Sequence, residues 1–172
     1  MESAAVIVIF DQLFGERYET HLIEGAPEPF YHYVPKGYSK IFFRSDYTSS
    51  ALHEVAHWCI AGPNRRREND YGYFYVEDRN KEQQLQFQRV ERKVQALEWV
   101  FSVAANVPFE LSVDNFNDFD PLPFGREVRL SVMTLLADGL SQRALSFANA
   151  LSVEVGGREF LAPINYKLIP VR

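Results

Sequence analysis

The sequence predicts an α+β fold, a small mixed sheet packed with helices, and three observations carry that prediction. Short runs rich in β-branched and aromatic residues cluster early, and the longer helical patterns come later. The stretch from Glu82 to Ala105 holds no Gly or Pro, and its apolar residues recur at steps of three and four. The chain has 172 residues and is 47% apolar and 24% charged, enough for one domain with a sizeable core, so residues 1–172 read as a single unit.

Residues 4–14 read as a helix because Val6, Ile9, Phe10 and Leu13 share a face, with Gly15 as the stop. "THLIE" (20–24) and "FYHYV" (30–34) read as strands on either side of the breaker-rich "GAPEP". "SKIFFRS" (39–45) is a third strand. A helix capped by Ser49 or Ser50 follows, runs through Ile60 and ends at Gly62-Pro63. "RRREND" (65–70) is expected as an exposed charged loop, "YGYFYV" (71–76) as a strand and "EDRNKE" (77–82) as a turn.

The long helix carries Phe87, Val90, Val94, Leu97 and Phe101 on one stripe, and Pro108 is its expected end. "NFNDFDPLPFG" (115–125) reads as a loop before helices over 124–137 and 141–153, the second closed by Gly156-Gly157. The tail "FLAPINYKLIPV" (160–171) is expected to be extended and to cover one edge of the sheet.

Composition narrows the function. A net charge of −5 argues against nucleic-acid binding by bulk electrostatics, although Arg65, Arg66 and Arg67 form a local basic run. The single cysteine, Cys59, cannot make an internal disulfide. The apolar stretch Ala4–Phe10 lacks a basic leader and is too short for a membrane span, so a cytoplasmic protein with no membrane partner is expected. Fourteen Phe and nine Tyr supply either a dense core or a cleft lined with rings.

The chemistry sits in "HEVAH", residues 53–57. Positions four apart lie one turn above each other on a helix, so His53 and His57 can aim two ring nitrogens at one point. Glu54 projects beside that point. The rest of the helix is uncharged, which buries it, and polar groups on a buried helix need compensation that a metal supplies. The alternative is a histidine pair satisfied by hydrogen bonds in a core.

A catalytic site needs a third ligand. No histidine lies downstream of His57, which removes the longer metzincin pattern, and His21 and His32 lie upstream near strands. Glu91 lies on or beside the apolar stripe of the long helix, and Glu98 lies seven residues further along the same face. A carboxylate against an apolar surface is costly unless it is paired or bound to a cation. Glu91 is therefore the first choice and Glu98 the second. The alternative for Glu91 is an ion pair with Arg67 or Lys93. Asp70 and Asp78 are weaker candidates because loop carboxylates are ordinarily solvated.

Two histidines and a carboxylate leave the reaction open. With zinc the set describes a hydrolase, a peptidase or an endoribonuclease, with Glu54 as general base. With ferrous iron it describes a non-haem oxygenase with open coordination positions, and Glu54 then handles protons.

The runs "HEVAHWCIAG", "RRRENDYGYFYVEDR" and "EQQLQFQRVERKVQALEW" resemble the bacterial elongation factor P hydroxylases, closely over residues 49–101. The resemblance implies hydroxylation of the β-lysylated lysine side chain of elongation factor P, a post-translational step in translation. It implies a fold similar to the metal-dependent endoribonucleases of ribosomal RNA maturation. It implies a metal site of two histidines and one carboxylate, carried onto His53 and His57 directly and onto Glu91 by the helix motif. Hydroxylating an unactivated carbon needs a strong oxidant, which points to Fe(II), with Zn as a substitute in the site. Tyr71, Tyr73, Phe74 and Tyr75 could line a cleft for a long cationic side chain, and core packing is the alternative for each. Arg66, within Arg65–Arg67, could meet acidic surface on the protein partner, and a solvated loop is the alternative. Trp58 and Cys59 are expected in the core, and Trp99 against the metal helix.

Overall fold

The computed structural model describes residues 1–44, 47–72, 81–112 and 121–167. Its first helix, α1 (Ser3–Phe10), does not stop at Gly15 but runs through a π-helical turn, Asp11–Gly15, into a short turn, α2 (Glu16–Tyr18). Gly15 keeps right-handed dihedrals, and the chain reverses instead at Glu19, which is left-handed at φ 47° and ψ 50°. The π turn re-aims Asp11, whose carboxylate accepts the Leu22 N–H at 3.1 Å and pairs with His21 Nδ1 at 3.0 Å.

Three strands follow, β1 (Thr20–Ala26), β2 (Phe30–His32) and β3 (Ser39–Arg44). They form the expected mixed sheet in the order β1-β3-β2, with β1 parallel and β2 antiparallel to β3. Side chains alternate across it, so Leu22, Tyr31, Ile41 and Phe43 are buried.

Helix α3 (Thr48–Ile60) carries the two histidines and touches α1, β3 and two later helices, α4 (Lys81–Ala105) and α6 (Gln142–Glu154). Neither serine caps it: Ser50 Oγ accepts the Arg44 N–H at 3.2 Å, tying the helix start to β3. Helix α4 agrees with the long expected helix. Its stop is Asn106, left-handed at φ 54°, two residues before Pro108.

Between them lies α5 (Pro121–Asp138), which begins three residues before the expected start. The "PLPFG" end of the expected loop is thus its first turn, where proline's missing N–H costs nothing, while residues 115–120 lie outside the described residues. Ser141 Oγ accepts the Ala144 N–H and caps α6, and Gly156 and Gly157, at φ 92° and 84°, close it.

The tail departs from expectation. Through Lys167 it packs on helices rather than on a sheet edge, because Tyr166 must bury its ring. That ring meets Trp99 edge-on at 5.6 Å, its hydroxyl donates to the Phe160 carbonyl, and its own carbonyl accepts from Arg129 Nε at 2.9 Å. Trp99 stacks on Phe109 at 4.9 Å, so among the described residues its ring–ring partners are Phe109 and Tyr166.

The aromatic surplus builds a dense core. Trp58 is fully buried, with Phe10 at 5.1 Å and Phe14 at 5.0 Å, and Phe147 joins Phe101 at 5.0 Å. Among the described residues no helix is long and apolar enough to cross a membrane.

Candidate metal centre

Helices α3 and α4 bring four side chains to one point. His53 Nε2 and His57 Nε2 stand 3.2 Å apart. Glu91 sets Oε1 3.3 Å from His57 Nε2 and Oε2 3.5 Å from His53 Nε2. On the outer side of His53, Nδ1 donates to Glu98 Oε2 at 2.8 Å. One carboxylate therefore faces the convergence point and the other supports a histidine from behind. Among the described residues the ionic partners of Glu91 are these two rings, rather than Arg67 or Lys93.

Charge and burial act together here. His57, Glu91 and Glu98 are buried, and so is Glu54. Burial pulls the His53 imidazolium down, but the carboxylates of Glu98, Glu91 and Glu54 outweigh it and hold its pKa up at about 10. Burial would raise the Glu91 carboxyl, but a hydrogen bond from His57, the charges of both histidines and the Gln95 amide hold it below the ordinary range. Burial pushes the Glu54 carboxyl up, against the pull of His57 and His53.

The donor set fits a divalent transition metal. Two imidazole nitrogens and one carboxylate oxygen lie within 4.8 Å of one another, and no other such cluster occurs among the described residues. Two Nε2 atoms this close leave room for one proton between them, so lone-pair density converges where a cation would sit. The Glu98 bond to Nδ1 is the outer-nitrogen contact that fixes a ligating histidine's tautomer.

Of the aromatic residues expected to line a cleft, only Tyr71 lies among the described residues. Residues 73–80, which include Tyr73, Phe74, Tyr75 and Asp78, lie outside the described residues. Tyr71 is 3% exposed and belongs to a short helical turn, Asn69–Gly72, not to a strand. Its ring is sandwiched between His57 at 6.1 Å and Tyr31 at 4.4 Å, all three nearly parallel. Asp70 and Tyr71 take left-handed φ values of 47° and 57°, and side-chain bonds hold them there. Asp70 Oδ1 accepts the Tyr31 N–H at 2.9 Å, Asn69 Oδ1 accepts the Tyr33 N–H at 2.9 Å, and Tyr31 Oη donates to the Arg66 carbonyl.

The arginine run divides. Arg65 and Arg67 are exposed, and Arg66 turns inward. Arg66 donates to the Ala61 carbonyl at 2.6 Å and lies over Trp58 and Tyr18. Arg143 of α6 donates to the carbonyls of Cys59 and Ala61 at 3.0 and 2.8 Å. Two guanidiniums thus satisfy the C-terminal carbonyls of α3, one turn from His57. His21 and His32 stay away from the centre, stacked on Tyr38 and Phe30 respectively.

Sequence reasoning missed Gln95 and Arg143. Gln95 has one signal: it lies four residues after Glu91 and is only 2% exposed. Its amide bonds both the N–H and the C=O of Ser112, at 3.1 and 2.8 Å, as well as assisting Glu91. Arg143 has no local signal, since it reaches α3 from 82 or more residues away.

Comparison with known proteins adds to this geometry. A family model described as "Elongation factor P hydroxylase" matches residues 9–161, a span that includes all four residues of the cluster. A protein of Haemophilus influenzae named "Elongation factor P lysine hydroxylase" is 42% identical, with 85% of this chain and 85% of that protein covered.

Proposed function

The chain belongs to the elongation factor P hydroxylase family, and from that membership we propose that it hydroxylates a lysine side chain of elongation factor P at the site formed by His53, His57 and Glu91. The lysine is the β-lysylated one, and the metal is Fe(II), with Zn an inactive substitute. The observation that carries this reading is the convergence of two imidazole nitrogens and one carboxylate within 4.8 Å in a chain of this family.

Ferrous iron held by that set would activate dioxygen, the oxidant that an unactivated C–H bond requires. Every other task falls to the chain's own groups. His53, His57 and Glu91 hold the metal. Glu98 keeps the His53 Nδ1 proton and so leaves Nε2 for the metal side. Placing one oxygen atom in a C–H bond leaves the other to become water, which takes two electrons and two protons from a reductant. Glu54, buried beside both histidines with its carboxyl raised, is the residue that passes protons.

In this reading Tyr71 backs His57 and Arg66 braces the end of α3, while Tyr73 remains a substrate contact. One hydroxylase unit spans 1–172, as the continuous core from Val6 to Tyr166 suggests. The likeness to the endoribonucleases of ribosomal RNA maturation, with a histidine-bearing helix beside a small mixed sheet, belongs to the same reading, and so does a cytoplasmic setting. No nucleic-acid partner is part of it.

The test is intact mass. β-Lysylated elongation factor P incubated in air with the ferrous protein and a reductant gains one oxygen, and the gain disappears in His53→Ala and Glu91→Ala. A cleaved peptide bond or RNA strand with no added oxygen would instead favour the zinc hydrolase.

A further inference from the structure

We infer that the cavity beside His57 is the slot for the methylene stem of the target lysine, with Ile60, Val90 and Val94 as the wall that sets its width. This rests on the hydroxylase reading above and assigns to it residues that neither the metal set nor the comparisons name.

The cavity holds about 350 Å³ and is bounded by His57, the turn Ala61–Asn64, Arg65 and those three apolar side chains. Among the described residues, three other side chains already meet His57. Tyr71 covers a ring face, and Glu91 and His53 flank Nε2. The cavity opens onto His57 beside these contacts.

The wall comes from the two helices that supply the ligands. Ile60 lies one turn beyond His57 on α3, and Val90 and Val94 bracket Glu91 on α4. Apolar wall and metal donors are thus fixed relative to each other by the packing of α3 on α4, and no loop has to move to align them. Ile60 is 41% exposed, whereas Val94 is 1% exposed and forms the floor.

The lining also says which part of a side chain belongs there. Apolar walls favour methylenes. Arg65 borders the same space, and its positive charge disfavours an ammonium in the interior. The uncharged middle of a long side chain therefore sits against His57, and its charged end stays toward solvent. The volume is at the small end for ligand sites, about 300–1,000 Å³, which suits one extended side chain.

The test uses full-length protein loaded with Fe(II) and intact β-lysylated elongation factor P, with hydroxylation rates and metal affinity measured on each variant. Val90→Phe narrows the slot, and Ile60→Asp puts a charge on its rim at a site already exposed enough to tolerate one. Each should lower kcat/KM for the protein substrate at least about tenfold, by the scale of pocket discrimination, with metal affinity unchanged. If Val90→Phe does not fold, Ile60→Asp decides. Unchanged kcat/KM, a matching loss of metal affinity, or a change confined to the KM of the reductant would each overturn the assignment. Wild-type protein that adds no oxygen would overturn the hydroxylase reading itself, and the slot with it.

Discussion

Glu98 Oε2 accepts the Nδ1–H of His53 at 2.8 Å, so a carboxylate on one helix decides which nitrogen of a histidine on another is left for a metal. Glu98→Gln weakens that acceptor without changing its shape. Metal affinity should fall about 10–100-fold, as for outer-shell partners elsewhere, and Glu91→Ala should cost more. Competition with a coloured chelator measures both. Equal losses in the two variants would mean that Glu98 is a ligand rather than a support.

Metal loading should expel a proton. With its pKa held at about 10 by Glu98, Glu91 and Glu54 against the pull of burial, His53 is an imidazolium in the metal-free protein at neutral pH. A metal needs the lone pair, so about one proton leaves per ion bound near pH 7.5. Titration calorimetry in two buffers of different ionisation enthalpy reads that number, and buffer-independent heats would refute it. The same shift affects stability. The folded pKa exceeds the ordinary histidine value of 6.5, so this contribution is complete below that pH and is lost as pH climbs through about 10.

Gln95 joins Ser112 to α4 one turn after Glu91. Gln95→Leu keeps the volume but removes both hydrogen bonds to the Ser112 backbone. Unfolding of the metal-free protein in urea should show a loss on the order of 2 kcal/mol. Metal affinity should also drop, because Glu91 loses the amide that helps to fix it. A variant as stable as the parent would show that water replaces the amide.

Alkali should unfold the protein through its buried acids. Burial raises the Cys59 thiol to about 12, against the pull of Arg143 and Arg66, and burial also raises the phenols of Tyr31 and Tyr166. In the unfolded chain these groups lose their protons first, from the ordinary thiol and phenol values of 9.0 and 10.0 upward, so stability falls as pH rises past them. Iodoacetamide at pH 8.5 should leave native Cys59 unmodified and alkylate it fully in guanidinium. Rapid alkylation of the native protein would show that Cys59 is reached by solvent.

Much of the centre was legible because its geometry is local. The spacing of His53 and His57 is a property of one helix, and Glu91 stood out as a carboxylate on an apolar stripe. The division of labour between Glu91 and Glu98 was not legible. Both lie on one face of α4, and only the way α4 crosses α3 decides which reaches His57. Tyr71 was misplaced for a similar reason. Its strand-like surroundings are overridden by left-handed backbone that Asn69 and Asp70 hold through contacts with β2. Gly15 failed as a stop because a π turn absorbs it, and the tail went to the helices because Trp99 offers Tyr166 an edge-on partner.

The two side chains that seize the Tyr31 and Tyr33 amides also close one edge of the sheet. Those amides point away from β3, and on an open margin they would invite a fourth strand from another chain. With Asn69 and Asp70 in their place, that border of the sheet is sealed to strand addition. A partner polypeptide cannot dock there by extending the sheet beyond β2.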